Sequence, residues 1–531
     1  MGRKKSVEMD DDEDKETASE RRARIINGIE KNYTFLTKRD TEELLYFDPS
    51  DGQWHDGITY LNRLTREYAG QDYTTNLFRE VKAAVMVDTY INSDKFKCPA
   101  EWINLKNGAI NLLKTEFIKR ETEPECKEVE EEIKGLRMEM QKKMKEVKET
   151  PGRNEATKIR ADIRGDYNSR IGSKMAEITI KKHEWRKSQT EKFAKFYFTS
   201  TLPISYDPSA TCPKIDQFFH QIQEGDDNVK RLYELTGYIL YRKYPIKKIF
   251  ILYGDPHTGK TTLATELWIK RFIGIDGVSS LSIDAIQDDK FDLIKIKEKY
   301  ANISSEIKEN TYIKDTTKFK ALTGNDVISA RLMHSQKDIK FVNFAKLIFL
   351  TNHIPSVSER DEGYLSRVEI FDFSNIFEGE KKNENIIDEI ATENELSGLL
   401  NESIKALREL LKRGDFTTTR NAEERKEQYM LQANPILYYL QNRYGTYYDD
   451  PSAKGPDDYL IKKGDVYSDY VSFCKQKKIR HVKGNTFYRV ANRYFGEMGI
   501  EGRSISYGSP EYYIGIYYKE YLHRDDQDKD K

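Results

Sequence analysis

The sequence predicts a multidomain protein that combines α/β and α units, and three observations predict it. A short apolar run ends at a glycine-bounded loop and leads into a helical pattern, in a stretch where strand and helix signals alternate. A second stretch carries apolar residues at three- and four-residue spacing on a charged background, the pattern of paired helices. A third, near the C-terminus, is rich in Tyr and ends in strand-like runs. At 531 residues the chain has length for about three or four domains.

Charged residues make up 33% of the chain and hydrophobic ones 37%, with a net charge of −1. That balance excludes a global basic field, so any nucleic-acid contact must come from local patches. Cys98, Cys126, Cys212 and Cys474 lie far apart and form no CxxC pair, which argues against a zinc site or a disulfide framework and for a reducing, cytoplasmic setting. No apolar run nears the ~20 residues that span a bilayer, and no secretory signal opens the chain. A membrane partner is therefore not expected.

Residues 1–24 are charged with almost no core-forming side chains and are expected to be disordered. Residues 25–118 mix helix and strand patterns, with Trp54 and Trp102 in a modest core. Within 119–190, Val129, Ile133, Leu136, Met140, Met144 and Val147 recur on one face. Pro151-Gly152 breaks the pattern, and Ile159, Ile163, Tyr167, Ile171, Met175 and Ile178 resume it. An antiparallel helical hairpin is expected, about 33 Å long at ~1.5 Å per residue. A spacer is its plainer reading, and an arm that touches a partner or DNA is the alternative. Residues 191–245 read as a helical approach, 246–380 as an α/β layer and 381–432 as a helical linker. A further domain covers 433–518, and 519–531 form a charged tail.

Lys248–Tyr253 is a buried-strand run that ends at Gly254-Asp255-Pro256-His257-Thr258-Gly259-Lys260-Thr261-Thr262, and Leu263–Phe272 follows with helical spacing. This is the strand–loop–helix context of a phosphate-binding loop. Glycines let backbone N–H groups wrap an anion, and the helix N-terminus adds its positive dipole end. Lys260 would meet the β- and γ-phosphates, and the hydroxyl of Thr261 would ligate Mg²⁺. ATP and Mg²⁺ are the cofactors expected. Downstream, Tyr300–Glu306 reads as a strand that ends in a carboxylate. Glu306 would serve as base and hold the metal through water, with Ser305 where a second acid is usual. Lys346–Asn352 reads as another buried strand, and Asn352 can sense the γ-phosphate. Arg367, with Arg360 as fallback, precedes a strand at Val368–Phe373 and could neutralise transition-state charge.

Taken in order, these motifs resemble the superfamily 3 helicases of phage, plasmid and large DNA virus primase–helicase proteins. The resemblance runs through Ser205–Pro208, Cys212–Lys214, Glu234–Tyr238, the phosphate loop, Ser305-Glu306, Lys320–Arg331, Thr351–Pro355 and Glu362–Arg367. Upstream, Glu101–Gly108 is similar to the helicase-associated domain that precedes the motor. Ser366 and Glu369 stand where relatives often carry more Arg. The resemblance implies an AAA+-like ring motor, usually a hexamer, that moves 3′ to 5′ on single-stranded and forked DNA. Arg367 would complete the neighbour's site. A hairpin with strands Ile328–Met333 and Ile339–Phe344 would enter the channel, its tip carrying His334 and Lys337, with Lys320 and Arg331 beside it.

Residues 433–518 resemble a winged helix. Asn485–Phe495 would be the recognition helix, Arg489 and Arg493 would face DNA, Lys478 and Arg480 would precede it, and Ser504–Tyr507 with Tyr512–Tyr518 would form the wing. The residues before the helical hairpin hold no paired-acid element and no zinc ligands, so a separate primase or polymerase is an expected partner. The function that follows is an ATP-dependent replicative DNA helicase of a virus, plasmid or integrated element, in the host cytoplasm if viral. The alternative is an origin-binding initiator ATPase that assembles on DNA without processive unwinding.

Overall fold

The structure, a computed structural model, describes residues 16–147, 153–288, 292–305, 307, 311–331, 338–357, 361–379, 383–418, 422–449, 455, 457, 459–477, 479, 481–500, 502–504 and 510–519. It is a mixed α/β, multidomain architecture with several small sheets.

The N-terminal unit begins with α1 (Ala18–Asn32), followed by β1 (Phe35–Lys38), β2 (Glu43–Asp48), β3 (Gln53–Asp56), α2 (Gly57–Ala69), α3 (Thr75–Asp88) and β4 (Tyr90–Ile91). The expectation of disorder through residue 24 is corrected here. Thr17 and Glu20 cap α1 reciprocally, and Ile25 and Ile29 bury against the sheet. One cap and two apolar residues a turn apart anchor a helix whose first turns are charged. Residues 1–15 lie outside the described residues. The sheet runs β3-β2-β1-β4, with the three helices packed on it. A second sheet, β5 (Trp102–Leu105), β6 (Gly108–Asn111) and β7 (Phe117–Lys119), joins it through a core that holds Trp54, Trp102 and Phe193.

Helices α4 (Lys127–Glu146) and α5 (Arg153–Phe193) form the hairpin, as read from the spacing. Its seam is narrower than expected: Val129, Ile133, Tyr167 and Ile171 are buried, with Leu136 and Ile178 beside them, while Ile159 and Met175 face solvent. The reason is helical drift, since each four-residue step overshoots a full turn by about 40°. Beyond the seam, α5 returns to the N-terminal unit. There Trp185 Nε1 donates to the Glu121 carbonyl at 3.0 Å, and His183 Nδ1 meets Asn32 Oδ1 at 3.0 Å.

The central unit follows α6 (Pro213–Ile222) and α7 (Asp226–Leu240). Its strands and helices are β8 (Ile249–Gly254), a helix at Thr262–Ile273, β9 (Val278–Ser279), α8 (Ile283–Asp288), β10 (Ala301–Ser304), β11 (Tyr312–Ile313), α9 (Thr317–Gly324), β12 (Val327–Arg331), β13 (Asp338–Val342), β14 (Lys346–Thr351), β15 (Ser356–Val357), α10 (Glu362–Leu365) and β16 (Val368–Phe373). Five of these strands make a parallel sheet in the order β16-β8-β14-β10-β9. Their near-continuous apolar runs suit a sheet covered on both faces. Alternate residues divide accordingly: Phe250, Leu252, Ile348 and Leu350 enter one core, and Ile249, Ile251, Leu347 and Phe349 the other.

The helix Thr262–Ile273 is wound as a π-helix, where helical spacing alone predicts an ordinary helix. Gly274 N–H closes it on the Ile269 carbonyl, five residues back, at 3.0 Å. Such winding is rare and concentrates at functional positions. Strands β12 and β13 pair antiparallel; β13 covers Asp338–Val342 rather than Ile339–Phe344, and residues 332–337 lie outside the described residues.

Helices α11 (Ile386–Ile390) and α12 (Glu393–Arg413) close one face of the sheet, and α7 lies against α12. The contact is close because Gly237 has no side chain: a Cβ there would meet the Ser403 carbonyl oxygen at 2.2 Å. Helix α13 (Ala422–Ala433) leads to the C-terminal unit: α14 (Pro435–Arg443), β17 (Tyr444–Thr446), β18 (Leu460–Lys462), α15 (Lys463–Gln476), α16 (Gly484–Glu497), β19 (Gly502–Ser504), β20 (Glu511–Ile514) and β21 (Ile516–Tyr518). The three helices and the strands share one aromatic core around Tyr439, Tyr470, Phe487 and Phe495. The expected second wing strand, Tyr512–Tyr518, is divided. Gly515 takes φ +92°, which sends β20 to β18 and β19 and sends β21 to β17. Residues 505–507 of the first expected wing strand lie outside the described residues.

Candidate functional site

In an open parallel sheet, ligands bind beyond the carboxyl ends of the strands, where connections diverge. Here that place is a cavity of about 450 Å³. Three strand ends reach it: the loop after β8 brings Pro256 to Thr262, β10 brings Ser305, and β14 brings Leu350, Thr351, Asn352 and His353. Sequence order predicted the convergence of Lys260, Thr261 and Asn352. His353 was missed, and its only sequence signal is its place one residue past Asn352. Its position is fixed by Thr351, whose Oγ1 donates to the His353 carbonyl at 2.6 Å and accepts from its N–H at 2.9 Å.

The loop takes its shape from two glycines. Gly254 lies against β16, where a Cβ would sit 2.2 Å from the Phe373 carbonyl oxygen. Gly259 has φ +85°, and a Cβ there would press on Ile222 at 2.6 Å. His257 adopts φ +63°, a left-handed conformation uncommon for a residue with a side chain. Its carbonyl accepts from Phe377 N–H at 2.8 Å.

Lys260 is buried and turned back into this loop. Its Nζ donates to the carbonyls of Gly254 and Asp255, each at 2.7 Å, and to Thr258 Oγ1 at 3.0 Å. Burial pulls its pKa down to about 8, while Asp255 nearby acts in the opposite direction. A cation held by three neutral oxygens at the edge of a cavity is electrostatically under-compensated, and an anion there restores its charge. The loop thus offers an anion an ammonium at the cavity rim and the Thr261 hydroxyl at the start of a helix, with two positions that exclude a Cβ.

Glu306 and Arg360 lie outside the described residues, as do His334, Lys337, Lys478 and Arg480. Arg367 is not brought into the cavity. It immediately precedes β16, whose register pairs Val368 with Ile249 and Phe373 with Gly254. The strand places it about 20 Å from the loop at ~3.3 Å per residue. Its Nη1 donates to the Lys320 carbonyl and to Thr323 Oγ1.

Lys320 Nζ pairs with Asp361 at 3.2 Å. Arg331 pairs with Asp338 across the β12–β13 hairpin at 3.0 Å. On α16, Arg489 and Arg493 are both exposed, and Arg493 reaches Glu497 at 3.1 Å. Glu369, which replaces an expected Arg, is buried between two cations, with Arg231 at 2.6 Å and Lys248 at 3.6 Å. That position holds β16 to α7.

Residues 252–367, which span this loop and most of the sheet, match a family model described as a family of unknown function, DUF5906. No curated protein matches the chain. Among solved structures it is similar to the apo A form of the NrS-1 C-terminal region. That likeness has 15% identity and a TM-score of 0.34 and covers 62% of this chain and 89% of that one. A second A-form structure, of NrS-1 residues 305–718, is 16% identical with a TM-score of 0.32, covering 59% and 77%. A further apo structure of the same region is 16% identical with a TM-score of 0.31, covering 62% and 89%.

Proposed function

We propose that the chain is an ATP-hydrolysing DNA helicase of the superfamily 3 type, with an AAA+-like core and a C-terminal winged helix. One observation supports this above the rest: Lys260, Thr261, Ser305 and Asn352, from three separate strand ends, line one cavity. A plain strand–helix turn would not gather a buried cation, a helix-initiating hydroxyl and a strand-end amide in one place. The loop 254–262 would hold the phosphates, Lys260 would neutralise the β- and γ-oxygens, and Thr261 would hold Mg²⁺. Glu306 follows Ser305 directly and is the proposed base. Magnesium-bound ATP would supply the phosphoryl group whose release drives motion.

Asn352 would position water at the terminal phosphate. Arg367, too far along β16 for its own cavity, suits a site formed with a second copy of the chain, which favours a ring. The β12–β13 hairpin, with His334 and Lys337 at its tip, would follow single-stranded DNA, and Lys320 and Arg331 would support its base. Helix α16, with Arg489 and Arg493 exposed, would meet duplex DNA, and Lys478 and Arg480 precede it.

The test is magnesium-dependent ATP hydrolysis and fork unwinding by the full chain and its Lys260→Ala variant. Loss of both activities in the variant is expected. Unwinding that survives Lys260→Ala would sink the reading. Hydrolysis with strands left paired would favour the origin-binding initiator. Mixing Lys260→Ala with Arg367→Ala subunits should restore part of the ATPase if the arginine acts across a subunit boundary.

A further inference from the structure

Away from the cavity, the N-terminal unit carries arginines paired with carboxylates and others set over aromatic rings, Arg39 over Tyr90 at 5.8 Å and Arg120 over Phe193 at 5.0 Å among them. Those of α1 are paired: Arg21 with Glu16 and Asp72, Arg22 with Glu80, and Arg24 with Glu16. Three others, Arg63 and Arg66 on α2 and Arg186 on α5, pair with no carboxylate among the described residues. Each instead has its guanidinium carbon over a tyrosine ring: Arg63 over Tyr60 at 4.3 Å from the ring centre, Arg66 over Tyr73 at 4.7 Å, and Arg186 over Tyr33 at 5.2 Å.

These contacts are continuous. Tyr60 stacks on buried Tyr46 with ring centres 3.6 Å apart and planes 11° apart. That occupies one face of Tyr60, so Arg63 covers the other. Tyr33 meets Tyr60 edge-on at 5.9 Å, which brings Arg186 into the same surface. Arg63 and Arg66 are exposed, three residues apart on one helix, about 5–6 Å between Cβ atoms. Glu67 is the one carboxylate within α2, and Asp56 stands at its start.

We infer that this surface binds single-stranded nucleic acid, with the three guanidinium groups as phosphate contacts and the outermost planes as a stacking platform. A guanidinium laid on an aromatic ring keeps its N–H edge free for phosphate oxygens. Laid parallel on Tyr60, the Arg63 guanidinium would extend the Tyr46–Tyr60 stack by one layer, on which an unpaired base can lie. A duplex keeps its bases stacked internally and makes no use of such a plane. An acidic protein segment would satisfy the charge but not the platform. The surface is separate from the nucleotide cavity and needs no nucleotide, so it goes beyond the motor reading and can stand without it.

The experiment uses the full chain without nucleotide, a fluorescent thirty-base oligo-dT and its oligo-rU counterpart, and a matched duplex. Replacing Arg63, Arg66 and Arg186 by Gln should weaken oligo-dT binding by about tenfold or more at moderate salt and lower the salt slope by about 2. Iododeoxyuridine cross-links in wild type should map to α2 or to the start of α1–β1 near Tyr33, and should vanish in the variant. Lysine at the same three positions should keep the salt slope but lose the cross-links.

Thermal denaturation that matches wild type shows that the variants are folded, and ATP hydrolysis without DNA should be unchanged. Unaltered affinity, together with cross-links elsewhere only, overturns the proposal. An equal loss for the duplex overturns its single-strand commitment. A change in oligomeric mass with intact DNA binding assigns the patch to protein contact instead.

Discussion

Lys260 is held by three loop oxygens, and burial draws its pKa down to about 8. Bound phosphates favour the charged form, so the pKa in a complex lies above that of the free loop. The sign follows: nucleotide affinity should be level well below pH 8 and should fall as pH rises through it. The decline is up to tenfold per pH unit until the pKa of the complex is passed. Calorimetry in buffers of different ionisation enthalpy should record proton uptake on binding near pH 8, and pH-independent affinity between 7 and 9.5 would refute it. At Gly237 the constraint is steric. Gly237→Ala places a methyl group 2.2 Å from the Ser403 carbonyl oxygen. Separating α7 from α12 should cost about 1–3 kcal/mol, read as a lower midpoint in urea denaturation.

At the scale of elements, the α4–α5 hairpin rests on few buried groups. Val129, Ile133, Tyr167 and Ile171 carry its seam, and surface pairs such as Lys174 with Glu132 at 2.6 Å add little. Ile171→Asp should therefore open the hairpin by itself. Hydrogen exchange in α4 should rise sharply while the central sheet keeps its protection. An unchanged α4 would show that the seam is held by something other than these side chains. The spacing of its apolar residues marked 119–190 as paired helices. Ile159 and Met175 were misplaced because successive four-residue steps drift about 40° each around the helix, carrying them off the face that meets α4.

Across the whole molecule, the units are tied by buried charges as well as by apolar cores. Arg231 on α7 and Lys248 before β8 converge on Glu369 of β16, and Lys248 also approaches Asp415 at 3.5 Å. Removing the carboxylate leaves buried Arg231 without its counter-charge and Lys248 with Asp415 alone. Glu369→Ala should cost about 3–5 kcal/mol and lower the thermal midpoint. A conservative apolar replacement of the whole cluster should be far milder, and the contrast between the two separates charge burial from packing. From the sequence, Glu369 stood out only as an acid where an arginine was expected. Its partner on α7, 138 residues earlier, was not legible.

What the sequence by itself determined is local. A glycine-bounded loop between an apolar strand and a helix, a strand running to the carboxylate Glu306, and another running to Asn352 are written in consecutive residues. Backbone chemistry acts over that same short range. The α/β layer could be read from alternating strand and helix patterns, and the parallel order of its strands was set by packing. Tertiary structure decided which of those ends meet. It brought Ser305 and Asn352 to the loop and added His353. It set Arg367 at the far end of β16, turned the helix after the loop into a π-helix, and divided the last strand at Gly515. It also assembled Arg63, Arg66 and Arg186 over three tyrosines from three parts of the chain. The physical reason is the same in each case. Positions distant in sequence become neighbours only through packing, and packing energy belongs to pairs of surfaces rather than to either segment.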